Sequence, residues 1–242
     1  MANKITAGFL SFTEILDARH REYCRSHLYD HMPEQLALEG LPFAQCWVAT
    51  PELVERRVWA KGDIGASHYL TLSLMTDPVD QVLGELAALS HERRPSVGER
   101  SHLSGPFSLV KTVAAPGVVT DAEAIPYRPN RGVFVTVQDH VAGATDRVLA
   151  EVREWYDEVH IPDLLSVHGA VGCWCFEALP DTNAAGRTIR VYWLDGDPVA
   201  FHEDLRAKTA SFSMMDPSAV YDTSLVASFR TIPADSHFDW FD

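Results

Sequence analysis

His31-Met-Pro33-Glu-Gln-Leu36-Ala-Leu-Glu-Gly40 and His160-Ile-Pro162-Asp-Leu-Leu165-Ser-Val-His-Gly169 share His, Pro, Leu and Gly at one offset, 31 to 160 and 40 to 169, which Cys46 and Cys175 repeat. Self-similarity at a fixed spacing marks a duplicated structural unit. Two further blocks follow in the same order. Tyr69 to Val79 ends in Asp77-Pro78-Val79 as Ile189 to Val199 ends in Asp197-Pro198-Val199, and Ser108-Leu109-Val110 before Ala115-Pro116 matches Ser224-Leu225-Val226 before Ile232-Pro233. Three ordered matches predict two divergent copies of an α+β unit of about 110 residues.

Within each copy the apolar spacing switches between strand and helix periods. The first copy predicts a strand over 5–13, a helix over 15–30, a turn at His-x-Pro, strands over 42–49 and 67–75, a helix over 78–91 and a strand over 107–114. The second predicts the same elements at 132–138, 145–160, 170–178, 188–195, 198–210 and 223–230. Val148, Val152, Trp155 and Val159 form one apolar stripe, as do Val79, Val82, Leu83, Leu86 and Leu89. Asp77-Pro78 and Asp197-Pro198 supply an N-cap and a first-turn proline to each second helix. The order βαββαβ is the ferredoxin-like split βαβ, an antiparallel sheet with both helices on one face. Two such modules packed sheet to sheet about a pseudo-twofold axis would cover both open faces and enclose a barrel interior fit for a ligand. The expected organisation is a first repeat over 1–118, a connector over 119–131, and a second repeat with an acidic aromatic tail over 132–242.

Composition bounds the function. With 46% hydrophobic and 22% charged residues the 242-residue chain reads as globular, and no run approaches the ~20 apolar residues of a membrane span. A formal charge of −14, from 34 acidic against 20 basic residues, opposes binding to nucleic acid or anionic membrane. The N-terminus reads as a strand without a cleavage site, so the expected location is cytoplasmic. Cys24, Cys46, Cys173 and Cys175 lack the CxxC spacing of redox or zinc motifs and are expected to be buried free thiols. Phosphate-binding glycine loops, nucleophile elbows and dinucleotide fingerprints have no counterpart here.

Trp155-Tyr156-Asp-Glu-Val-His160-Ile-Pro162-Asp-Leu-Leu165, following the strand from Val133 to Val137, resembles the signature of the dimeric α+β barrel superfamily, in particular its EthD-like branch. The resemblance covers 132–230 better than 5–114, because Ser26 and His27 stand where Trp155 and Tyr156 do. It implies a barrel formed within one chain, with a homodimer of the fused chain as a further expectation. The superfamily spans cofactor-free monooxygenases, isomerases, cyclases, dehydratases and haem enzymes, so the fold alone does not select a reaction.

His160 and His31, each ahead of a proline, are the leading catalytic candidates, as general base and general acid or else as helix C-caps. Tyr156 and Asp157, within a turn of His160, would add a phenol donor and an orienting carboxylate. Arg190 and Tyr192 share a strand face, where Arg190 is either an anion anchor or a solvated strand end. Trp174, Phe134 and His68 are candidate substrate contacts, and His202 reads as a structural histidine in a helix stripe. His27 and His31 have a metal-ligand spacing without a third ligand, so no metal is expected.

The expected function is a cofactor-independent enzyme of lyase, isomerase, dehydratase or cyclase type, acting on a small apolar or aromatic metabolite by histidine-assisted proton transfer. A non-catalytic small-molecule-binding or accessory protein of the EthD type is the alternative. Haem binding through a histidine is the third reading.

Overall fold

A computed structural model describes residues 4–92, 97–179 and 186–241; the first residues of the expected N-terminal segment and Asp242 of the expected tail lie outside them. The strands are β1 (Ile5–Ile15), β2 (Phe43–Val48), β3 (Trp59–Ala60), β4 (Tyr69–Thr76), β5 (Glu99–Ala114), β6 (Gly132–His140), β7 (Ala170–Ala178), β8 (Arg187–Leu194) and β9 (Tyr221–Thr231). The helices are α1 (His20–Arg25), α2 (Met32–Leu36), α3 (Pro51–Glu55), α4 (Val79–Glu92), α5 (Asp146–Trp155), α6 (Ile161–Leu165) and α7 (Pro198–Lys208).

All nine strands form one sheet, in the order β2-β4-β1-β5-β7-β8-β6-β9-β3, and every pairing is antiparallel. A further pairing of Trp47 with Thr231 and Val48 with Arg230 joins β2 to β9 and closes the sheet on itself. The strand alternation explains why the closed form is stable. One face presents Phe12, Trp47, Leu72, Phe107, Trp174, Phe176, Val191, Trp193 and Phe229, all fully buried in a single cluster. Trp47 and Trp174 pack against Trp193 with ring centroids 5.6 and 6.4 Å away, so large side chains fill the barrel as they do a packed core. The interior expected to hold a ligand is therefore occupied by the protein's own aromatics, and Trp174 belongs to that filling. The helices cover the opposite face.

Three sequence expectations change. The first helix starts at His20, because β1 runs on to Ile15, which pairs with Glu99 at the start of a β5 longer than expected. The His-x-Pro segment is not an exit turn. Ser26–His31 and Tyr156–His160 are π-helical, and Met32 N–H donates to His27 O as Ile161 N–H donates to Tyr156 O. The wider winding leaves room for Pro33 and Pro162 in the first turn of α2 and α6, where a missing N–H costs little. Finally, the proline-bearing connector is part of the core: Ile125 is buried within the barrel cluster, and Trp174 Nε1 donates to Ala122 O at 2.9 Å. The N-cap expectation holds at Asp197, whose Oδ1 accepts from Val199 N at 2.8 Å.

Candidate functional site in the second half

The π-helical winding sets which side chains face the sheet. More than four residues per turn bring positions four apart onto one line, and Val152, Tyr156, His160 and Leu164 fall on it in the second half. In the first half the same line is Tyr23, His27, His31 and Gln35, with Tyr23 stacked on His27 at 5.3 Å and His27 5.7 Å from His31. Each row lies over its own strands.

Beneath Tyr156 and His160 lies Arg190 of β8, only 4% exposed. Its guanidinium sits 3.7 Å from the centroid of the Tyr156 ring and 5.6 Å from that of Tyr221. Nη1 donates to Gln138 Oε1 at 2.6 Å, the same oxygen that accepts from the Tyr156 hydroxyl at 3.0 Å, and Gln138 Nε2 donates to Thr223 Oγ1 at 3.0 Å. No carboxylate pairs with Arg190 among the described residues. The expectation of a solvated strand end is thus corrected: alternation aims Arg190 at the helix-covered face. A buried cation is costly to leave uncompensated, and cation–π contact with the tyrosine offsets about 2 kcal/mol of that.

A cleft of about 210 Å³ opens onto this guanidinium between the helix and β5, β7, β8 and β9, with Arg190, Tyr156, Cys175 and Tyr221 in its wall. Its rim charges cancel, since Lys111 pairs with Asp157 at 2.9 Å and Arg153 with Glu177 at 3.1 Å. Asp157 is consequently an exposed partner of Lys111 and not the orienting carboxylate expected for His160. Burial, then the Arg190 charge, lowers the His160 pKa to about 4, so its imidazole is neutral at physiological pH. Burial raises the Tyr156 hydroxyl above its usual range. The Cys173 thiol is pushed up by burial, whereas Cys175 is pulled down by a hydrogen bond from Cys173 and by Arg190.

The other expected site residues are dispersed. His31 accepts from Gln35 Nε2 at 2.8 Å in the first half, over Ser73 and not beside His160. The acid/base pair across a shared cavity is not formed. His68 Nδ1 accepts from Ile15 N at 3.1 Å. Phe134 packs on Phe201 and Tyr192, and Tyr192 is fully buried, outside the wall of the Arg190 cleft. Sequence reasoning missed Gln138, Tyr221, Lys111, Arg153 and Cys175. Gln138 had a signal: it continues the alternation of Phe134 and Thr136 on β6 as an amide within an otherwise apolar strand.

The first half lacks this site. Register places Thr71 opposite Cys46 as Arg190 lies opposite Cys175, so a hydroxyl stands where the second half has its cation, and it bonds His27 Nε2 at 3.0 Å. The C-terminal tail covers this region, with Phe241 stacked 3.9 Å from His20 and Phe238 buried.

These features define a closed antiparallel barrel with outer helices and a charged cleft between helix and sheet. This mixed α+β fold, with its large antiparallel sheet, is similar to that of chlorite dismutase-like structures. A protein classed as a candidate chlorite dismutase superposes with a TM-score of 0.54 at 9% identity, over 99% of this chain and 100% of its own. Chlorite dismutase from Candidatus Nitrospira defluvii in complex with imidazole gives 0.53 at 11% identity, over 97% and 94%. A heme-binding protein from Thermus thermophilus gives 0.49 at 14%, over 95% and 92%. No family model and no curated protein matches. At these identities the likeness establishes the fold.

The cofactor-free lyase or isomerase is overturned. The structures above with TM-scores over 0.5 are named chlorite dismutases, not lyases or isomerases. Burial and the Arg190 charge hold His160 at a pKa of about 4, and His31, its expected acid/base partner, lies in the other half on Gln35.

Haem can be tested against this chain's own residues. His160 is a neutral imidazole, the form that ligates metals, but the helix–sheet space beside it is bridged by the stacked Tyr156 and Arg190 and by the Gln138 hydrogen bonds. A cleft of 210 Å³ is smaller than the ~300–1,000 Å³ of sites for drug-sized ligands. Haem does not fit this cleft.

Proposed function

We propose that the chain binds a small oxyanion in the second-half cleft, with Arg190 as its anchor. The observation that carries this reading is a buried guanidinium that, among the described residues, donates to Gln138 and has no carboxylate partner, with an opening of about 210 Å³ in front of it. At ~30 Å³ per water-sized unit, that volume suits an anion of only a few heavy atoms. Guanidinium pairs best with planar oxyanions, through two parallel N–H···O bonds. A histidine at pKa about 4 and a phenol raised above its usual range support binding, and not proton transfer near neutral pH, as the role of the flanking side chains.

Around this site we read the chain as two ferredoxin-like modules packed sheet to sheet, divided by the 119–131 connector. The support is that second, third, first and fourth strands of each half neighbour one another in the same order. The EthD-like affinity rests on the Trp155–Gly169 motif and belongs to this proposal, as does a homodimer of the chain.

Titration calorimetry with formate and nitrite tests the function. Wild type is expected to bind at one site, and Arg190→Gln to lose at least tenfold in affinity. Haemin titration runs alongside: a Soret shift that disappears in His160→Ala would replace the oxyanion reading with haem binding.

A further inference from the structure

Outside the Arg190 site, a cleft of about 600 Å³ lies between α7 and the 55–58 segment at the end of α3. Its volume is that of a pocket for a small organic molecule. Three arginines line it: Arg56, Arg57 and Arg206. Arg57 is committed to the carbonyls of Gly65 and Ser67, and Arg56 to Glu52. Arg206 makes no ion pair among the described residues. Glu55 and Glu203 also stand there, so the cleft carries charges of both signs, and Arg206 is the arginine not already committed to another group.

The second observation is His202. It lines the cleft at 8% exposure, and its Nε2 has no hydrogen-bond partner. A buried ring nitrogen without a partner costs roughly 1–3 kcal/mol unless a ligand or water supplies one. The Phe134 ring stands edge-on to the imidazole at 5.9 Å and holds it in place. Burial, then Arg56 and Arg206, keeps the ring neutral, with a pKa of about 4. A neutral imidazole can present N–H to an anionic oxygen. Val58 and Leu205 supply an apolar wall beside the charges.

We infer that this cleft is a second binding site, for a small organic carboxylate whose head pairs with Arg206 and His202 and whose apolar body lies against Val58 and Leu205. It is separate from the Arg190 cleft in residues and in ligand size, and stands or falls independently of it.

Benzoate is the probe, with benzyl alcohol as its neutral counterpart and inorganic phosphate as an anion without the apolar body. Binding to the full chain is followed by calorimetry and by the imidazole proton resonances. Benzoate is expected to bind and to shift the His202 resonance, and the two controls to bind at least tenfold more weakly. Arg206→Ala, at an exposed position, and His202→Phe should each weaken benzoate tenfold or more, whereas Arg190→Gln should leave it unchanged. No benzoate binding, equal binding of benzyl alcohol, undiminished binding in folded Arg206→Ala, or a loss confined to Arg190→Gln would overturn the assignment.

Discussion

Arg190 shows how one side chain can be held against its own solvation preference. Its burial is maintained by the Tyr156 ring and Gln138, not by an opposing charge. Replacing a buried charge with an apolar group of similar volume is often stabilising. Arg190→Met is therefore expected to gain about 1 kcal/mol in urea unfolding while losing formate binding, the trade-off of a residue kept for function. A mutant that loses stability would mean the guanidinium is structural. His160 and His202 make the pH dependence. Both have folded pKa values of about 4, below the 6.5 of the unfolded chain, so between these values the unfolded state binds more protons. Stability contributed by their neutral forms is complete above pH 6.5 and lost as pH falls toward 4, by at most about 3 kcal/mol for each group. His160→Phe should flatten that limb of the stability profile. The histidines were visible as residues in the sequence, but their protonation was not, because it depends on burial and then on Arg190 for His160 and on Arg56 and Arg206 for His202.

At the level of elements, most strands and both second helices were legible. Ala170–Ala178 matches the strand expected over 170–178, and α7 begins at the proline that Asp197 caps. Asp197→Ala removes the cap and the 2.9 Å ion pair with Arg230, and should cost about 1–2 kcal/mol in urea unfolding. Gly132→Ala should cost more, at least 2 kcal/mol, since a Cβ there would overlap the Phe229 carbonyl and lie 2.6 Å from Pro198 Cγ. The first helices were harder. A 3.6-residue period groups Val152 with Trp155 and Val159, whereas the π-helical segment aligns Val152 with Tyr156 and His160. One change in winding decides which residues meet Arg190, and periodicity carries no trace of it.

On the scale of the molecule, the sequence was legible as an α+β chain with a large antiparallel sheet, which β2–β9 pairing closes into a ring. The repeated blocks did not anticipate that the interior is full. Each inward position was recognisable as apolar, but whether facing aromatics leave a cavity depends on how three tryptophans from separate strands interlock. The useful openings lie outside the barrel, and the two halves differ there: Thr71 and the tail in one, Arg190 and an open cleft in the other. Removing residues 236–242 is expected to cost about 2 kcal/mol by exposing Phe238 and uncovering His20, with formate affinity unchanged. The central claim is most directly tested by a crystal structure of the protein soaked in nitrite at neutral pH. A single anion within hydrogen-bond distance of the Arg190 guanidinium, beneath Tyr156, is the expected result. Density absent there while present elsewhere, or Arg190 turned onto a carboxylate of the protein itself, would contradict it.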